Sequence, residues 1–101
     1  MFSFFKRFFS SKPDIAQLLN DGAMVIDVRT QSEYQRGHGK NTRNIPLNSI
    51  KGKLTSLKKQ KKVIITCCAS GMRSGKAAKM LRNAGLDAHN GGPWQSVERH
   101  R

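Results

Sequence analysis

Cys68 opens the run Cys68-Ala69-Ser70-Gly71-Met72-Arg73-Ser74, and these residue types in this order are suited to holding a reactive thiolate. The run lies between a β-prone stretch, Val63-Ile64-Ile65-Thr66-Cys67, and a helical stripe of Ala77, Ala78, Leu81 and Ala84 closed by Gly85. Cys68 therefore falls at the carboxyl end of a strand and just before a helix, where open α/β sheets bind their ligands. Gly71 supplies a permissive backbone for the sharp turn, and the small Ala69 and Ser70 leave amide groups uncovered. Those amides, with a helix dipole starting near Ser74, make an anion-binding nest around the sulfur, and Arg73 adds a positive charge. Each factor favours thiolate over thiol, and such settings lower a cysteine pKa to ~3.5–7.5. The catalytic candidate is Cys68, with Ala69, Ser70, Gly71, Met72, Arg73 and Ser74 as the substrate-binding loop. Cys67 lies one position back inside the strand, so its side chain is expected to point the other way, into the core.

The remaining composition narrows the chemistry. Two adjacent cysteines cannot form a disulfide framework, and no CxxC or Cys/His ligand spacing supports a structural zinc site. Neither a metal nor a cofactor is called for. A lone reactive thiol fits a reducing compartment, which predicts a cytoplasmic protein. The chain of 101 residues has room for one compact domain. There is no run of about 20 apolar residues to span a bilayer. Lys6 and Arg7 interrupt the apolar N-terminus and no small-residue cleavage site follows, which argues against a secretory signal. The formal net charge of +13 predicts attraction to anions, whether a small oxyanion, a polysulfide, acidic lipid or nucleic acid.

Strand and helix signals alternate along the chain. Residues 1–11 form an aromatic and basic tail in which Phe2, Phe4, Phe5, Phe8 and Phe9 would fall on one arc of a helix, opposite Lys6 and Arg7. That pattern predicts peripheral contact with the inner membrane face. The domain proper is expected over residues 12–101. Ser11-Lys12-Pro13-Asp14 reads as a helix start capped by Ser11, with Ile15, Leu18 and Leu19 as its apolar stripe. Residues 23–28 form an apolar run suited to a strand covered on both faces. Glu33 to Arg36 reads as one helical turn and Asn44-Ile45-Pro46-Leu47 as a short strand. Ile50, Leu54 and Leu57 mark another helix, and Lys58, Lys59, Lys61 and Lys62 a basic turn. A last strand over Ala88-His89-Asn90 precedes a helical stub. The order predicts an α/β fold with a small parallel sheet flanked by helices on both faces.

These pieces together resemble the single-domain rhodanese-like sulfurtransferases, from about Pro13 to Val97. Val25-Ile26-Asp27-Val28-Arg29, followed by Glu33-Tyr34 and Gly37-His38, looks like the first family signature, and Asn44-Ile45-Pro46-Leu47 like the second. Cys68-Ala69-Ser70-Gly71-Met72-Arg73-Ser74-Gly75-Lys76-Ala77-Ala78 looks like the active-site loop and its helix. Asn90-Gly91-Gly92-Pro93-Trp94 is similar to the closing Gly-Gly-x-Trp element. The resemblance implies that Cys68 takes a sulfane sulfur from an anionic donor such as thiosulfate or a polysulfide. It would hold that sulfur as a persulfide and pass it to a thiol or cyanide acceptor. The amides of Ala69 through Arg73 would cradle the outer sulfur. Asp27, Arg29 and Glu33 are expected to be scaffold, with an Arg29–Glu33 pair holding the turn, and His38 to be structural. Gly39-Lys40-Asn41-Thr42 stands where the family usually has an apolar residue and a Gly-Ala pair. Ala69 stands where thiosulfate users often carry a basic residue, which points away from thiosulfate in particular.

Other readings follow from the same residues. Counted from Cys67, Arg73 has the spacing of cysteine phosphatases and some arsenate reductases, a frame that needs Cys67 as nucleophile. A non-enzymatic persulfide carrier or membrane-docked adaptor would use the tail and lysines as its working surface. Nucleic acid is a weak candidate partner, since outside the tail only Tyr34 and Trp94 could stack on bases. A monomer is expected.

Overall fold

The computed structural model describes residues 14–101. The aromatic tail with its expected membrane contact, and the Ser11 cap, lie outside them. Four strands form one wholly parallel sheet: β1 (Met24–Asp27), β2 (Thr42–Asn44), β3 (Ile64–Cys68) and β4 (Ala88–Pro93), in the order β2-β1-β3-β4. The chain runs outward from β1 to β2, then returns past β1 to β3 and on to β4. The strand order thus reverses between β1 and β3, where a crevice opens beyond their carboxyl ends. Asp27 is in register with Cys67 across that boundary, so the segments after both strands emerge side by side.

Among the described residues five α-helices and one 3-10 helix cover the sheet: α1 (Ile15–Asn20), α2 (Gln31–Gln35), the 3-10 helix Leu47–Lys53, α3 (Leu54–Gln60), α4 (Met72–Asn83) and α5 (Trp94–Arg99). The pleat of β3 divides the core into two clusters. Ile64 and Cys68 face one side, with Ile26, Val28, Ile50, Leu57, Ala77, Ala78 and Leu81, so the 3-10 helix, α3 and α4 cover that face. Ile65 and Cys67 face the other, with Val25 and Val97, against which Ile15, Leu18, Leu19 and Trp94 pack from α1 and α5. Burying a side chain the size of Leu57 or Leu81 stabilises the fold by ~1.5–3 kcal/mol each. No helix among the described residues is long and apolar enough to cross a membrane.

Several boundaries differ from the sequence reading, each for a local reason. Helix α1 is capped by Asp14, whose carboxylate accepts the Gln17 N–H at 3.1 Å. Strand β2 ends at Asn44, because Pro46 has no N–H and its fixed φ of −53° instead opens the 3-10 helix. Lys58 and Lys59 belong to the last turn of α3, where cations suit the helix dipole, and left-handed Lys61 closes it. Strand β4 runs on to Pro93, past a register irregularity opposite Thr66 and Cys68. Within it Gly91 allows close packing: a Cβ there would stand 2.7 Å from Val97 Cγ2 and 2.8 Å from Ile65 Cγ2. The atypical turn 39–42 is tied to the C-terminal helix, since Glu98 accepts the Lys40 N–H at 3.2 Å.

Candidate active site

Helix α4 starts at Met72, two residues before the expected Ser74, with Gly71 at its N-cap in the left-handed region (φ 100°). A Cβ on Gly71 would also lie 3.3 Å from the Gly92 Cα, so both conformation and space favour glycine there. This early start wraps the chain around Cys68 Sγ. The Gly71 N–H donates to the sulfur at 3.0 Å and the Ser74 N–H at 3.4 Å, while Ser74 Oγ lies 3.3 Å away. Cys68 itself is 0% exposed, at the floor of a bowl whose outer residues Ala69, Ser70 and Met72 are exposed. Met72 is 75% exposed, with its N–H 3.4 Å from Ser70 Oγ.

Burial is the largest single influence on the Cys68 thiol and pushes its pKa up. Opposing it are the Ser74 hydroxyl, the Ser74 amide and the amides of Gly71 and Ser70, and together they win, leaving the pKa below its ordinary value. Cys67 has no such donors. Burial, then the neighbouring Asp27 charge, pushes its thiol up to about 12. It faces the opposite cluster and does not reach the loop, which removes the geometric basis of the phosphatase frame.

Arg73 hydrogen-bonds Glu33, not the sulfur. Its guanidinium forms a two-pronged pair with Glu33, at 2.7 and 3.0 Å, joining the loop after β3 to the helix after β1. Glu33 also accepts the Thr30 N–H at 3.0 Å as part of a capping box. The Arg73 bond, followed by the Thr30 backbone bond, pulls the Glu33 carboxyl down to about 2. The expected Arg29–Glu33 ion pair does not form. Arg29 instead meets the fully buried Asp27 carboxylate at 2.8–3.1 Å, and its Nη1 and Nη2 donate to the carbonyls of Glu33 and Gly37. It also lies 5.1 Å from the Trp94 ring centroid. The reason is geometric: Asp27 is the last residue of β1, and Arg29 folds back over the strand end. His38 stacks on Tyr34 at 3.8 Å and its Nδ1 lies 2.8 Å from the Tyr34 carbonyl, a structural role.

Asn90 is the site residue that sequence reasoning did not single out. Its Oδ1 accepts from Ser74 Oγ at 2.7 Å and from the Gly92 N–H at 2.9 Å, and its Nδ2 donates to the Gly71 carbonyl at 2.9 Å. The single Ser74 hydroxyl proton therefore has two acceptors. When Cys68 is a thiol, S–H can donate to Ser74 Oγ while the hydroxyl donates to Asn90. When it is a thiolate, the hydroxyl turns to the sulfur and the Gly92 N–H still satisfies Asn90. Thr66 fixes the far side of the turn by donating to the Ser74 carbonyl at 2.7 Å. Among the described residues no group of three or more His, Cys, Asp or Glu could hold a metal ion.

A family model for the rhodanese-like domain matches residues 11–92. Over 63 residues the chain is 40% identical to the protein YqhL of Bacillus subtilis, covering 62% of this chain and 49% of that one. A tRNA sulfurtransferase of Thermoplasma acidophilum is 33% identical over 66% of this chain and 13% of its own length. The chain thus spans half or less of these two relatives. Thiosulfate sulfurtransferase 18 of Arabidopsis thaliana is 38% identical over 71% of this chain and 65% of its own length. Among solved structures, a rhodanese-related protein from Thermoplasma volcanium superposes with a TM-score of 0.72 at 30% identity, over 87% of this chain and 90% of that one. A rhodanese from E. coli, solved with anions, gives 0.68 at 28%, over 74% and 91%.

Proposed function

The chain belongs to the rhodanese-like domain family, and from that premise we propose that it is a sulfurtransferase working through a persulfide on Cys68. The observation that carries this is the bowl itself. One sulfur sits at the end of β3 and the start of α4, with amides of Gly71 and Ser74 and the Ser74 hydroxyl directed at it. Donors fixed in this way favour the thiolate, the nucleophilic form of cysteine.

In the proposed cycle the Cys68 thiolate attacks the outer sulfur of an anionic sulfane donor, a polysulfide or thiosulfate. The donor's S–S bond breaks and its remaining portion leaves with the electron pair. The new S–S bond of ~2.05 Å carries the reactive sulfur outward, toward the mouth at Ala69, Ser70 and Met72. A thiol or cyanide acceptor then attacks that outer sulfur and Cys68 leaves as thiolate, completing two half-reactions. Met72 and Ser70 edge the entrance, and Arg73 acts through Glu33 to hold the loop rather than as a free anion-binding charge. The family relatives named as sulfurtransferases support the general activity.

The test is intact-mass analysis after exposure to polysulfide and, separately, to thiosulfate, followed by cyanide. The proposal expects the gain of one sulfur on Cys68 and its release as thiocyanate. Uptake that survives Cys68→Ser would refute it.

A further inference from the structure

Between Glu33 and Asp87 the chain contains no Asp or Glu, and that stretch supplies the 3-10 helix, α3 and α4, the whole layer over one face of the sheet. The layer carries six lysines, and Lys61 and Lys62 follow directly on α3. Its two arginines are engaged elsewhere, Arg73 with Glu33 and Arg82 with the Ala88 carbonyl. All the acidic residues of the chain lie on other elements. A solvated surface normally mixes the two signs, and this one does not.

The charge is organised around the mouth of the site. Helix α4 buries Ser74, Ala77, Ala78 and Leu81 against the sheet. Met72, Lys76 and Lys79, spaced i, i+4 and i+7, therefore share its outward face, and all three are exposed. The row begins at the rim of the Cys68 bowl and runs ~10 Å along the helix. Lys51 and Lys53, also exposed, extend it sideways from the 3-10 helix, which packs on α4. No salt bridge among the described residues involves Lys51, Lys53, Lys76 or Lys79. Lys76 and Lys79, three residues apart on one helix, repel each other with no carboxylate between them. An exposed methionine beside a field of charge has the make-up of a protein-docking surface: an apolar anchor with a steering rim. Residues 47–83 contain no aromatic side chain, so this face lacks the stacking platform of a single-strand nucleic-acid binder.

Resting on the sulfurtransferase reading, we propose that the Met72–Lys76–Lys79 face docks an acidic protein whose cysteine thiol accepts the sulfur from Cys68. The charged patch holds the partner while its thiolate enters the mouth and attacks the outer sulfur of the Cys68 persulfide. The S–S bond to Cys68 breaks, Cys68 leaves as thiolate, and the sulfur ends on the partner as a persulfide that takes up the proton. No oxidant or reductant is consumed.

The experiment uses the full chain, charged with polysulfide and checked by mass for one sulfur on Cys68. Single-turnover transfer is followed to three synthetic single-cysteine peptides flanked by glutamates, serines or lysines, and to dithiothreitol. The glutamate peptide should react at least about tenfold faster than the serine peptide at low salt, with the advantage fading as the Debye length shrinks to ~8 Å at physiological ionic strength. Lys76→Glu with Lys79→Glu should reverse the preference, and Lys76→Gln with Lys79→Gln should flatten it, both leaving the dithiothreitol rate unchanged. Indifference to peptide charge in a chain that charges and serves dithiothreitol would sink the docking proposal alone. So would a labelled oligouridylate that binds through these lysines while the acidic peptide gains nothing. Failure of Cys68 to take up sulfur from any donor would remove the sulfurtransferase reading and this proposal with it.

Discussion

Ser74→Ala isolates what the loop does to the Cys68 sulfur. The change deletes one oxygen, the hydroxyl 3.3 Å from Sγ and 2.7 Å from Asn90 Oδ1. The Gly71 and Ser74 amides remain at 3.0 and 3.4 Å, and Asn90 Oδ1 keeps the Gly92 N–H at 2.9 Å. A hydrogen bond to a charged group contributes ~1.5–3 kcal/mol, and the length of this contact places it at the low end. Losing ~1.5 kcal/mol of thiolate stabilisation lowers the thiolate population about tenfold on the rising limb of the titration. Iodoacetamide alkylation of Cys68, followed by mass across pH, should slow by that factor near neutrality and converge with wild type at high pH. Overall stability should fall by only ~1 kcal/mol, since alanine suits the first turns of a helix. The contrasting variant is Arg73→Gln with Glu33→Gln, which removes a pair of zero net charge and should move the profile less. Alkylation of Ser74→Ala within twofold of wild type, or a larger shift from the pair, would refute the argument that directed hydrogen bonds activate the sulfur.

Three further outcomes follow from the same geometry. Cys68→Ser should abolish sulfur transfer while Cys67→Ser retains most of it. The latter should lose ~1–3 kcal/mol in urea unfolding, because its hydroxyl enters an apolar cluster. With its thiol pushed up to about 12, Cys67 should resist alkylation in the folded protein up to about pH 9. Glu33 should make the protein acid-sensitive in a defined window. Because its folded pKa is depressed, its contribution is present above its ordinary 4.5 and is lost as pH falls through about 2. Glu33→Gln should erase that part of the pH dependence of thermal unfolding, and an unchanged acid limb would assign it elsewhere. Gly71→Ala should cost ~1–2 kcal/mol for the left-handed backbone and lower sulfur transfer at least about tenfold, because the Gly71 amide moves off Sγ. A stable, fully active variant would show that the bowl need not keep this shape.

The fold and the placement of Cys68 between a strand end and a helix start were legible in the sequence because they rest on local patterns. The apolar runs 23–28 and 63–67, separated by helical periods, dictate parallel strands, and Gly71 after Cys68 dictates the turn. The connections across the site were not legible. Arg73 and Glu33 lie 40 residues apart and meet because β1 and β3 are neighbours. Composition offered Arg73 a role beside the sulfur, and only tertiary placement assigns it to Glu33. Arg29 had two carboxylates within four residues, and the buried Asp27 at the strand end captured it. Asn90 was hidden because it reads as one polar residue ending a weak strand. Its value lies in the register of β4 beside β3, which opposes Asn90 to Thr66 and brings it to Ser74. The sequence offered one signal: a side-chain amide directly before two glycines, where a close turn leaves backbone groups in need of partners.

The two adjacent cysteines show how much chemistry the pleat alone can separate. Both are buried, at 1% and 0% exposure, so accessibility does not distinguish them. What differs is the side of the sheet. Cys67 turns toward Val25, Ile65 and Val97, which offer no donor to a sulfur anion, and burial outweighs the opposing charge of Arg29. Cys68 turns toward the face over which α4 begins, where the chain must leave amide N–H groups uncommitted. The same burial is outweighed there by donors that the helix cannot use internally. A one-residue slip of β3 would exchange the two faces and leave the Cys68 sulfur among aliphatic side chains. The backbone resists that slip because Thr66, two positions before Cys68 and on its side of the strand, is tied to the Ser74 carbonyl at 2.7 Å. Thr66→Val should therefore loosen the loop without touching the sulfur. It should slow alkylation of Cys68 and begin to expose Cys67 to reagent, in a protein whose secondary structure is unchanged by circular dichroism. Wild-type labelling of both cysteines in that variant would mean that the strand's register is held by its apolar faces alone.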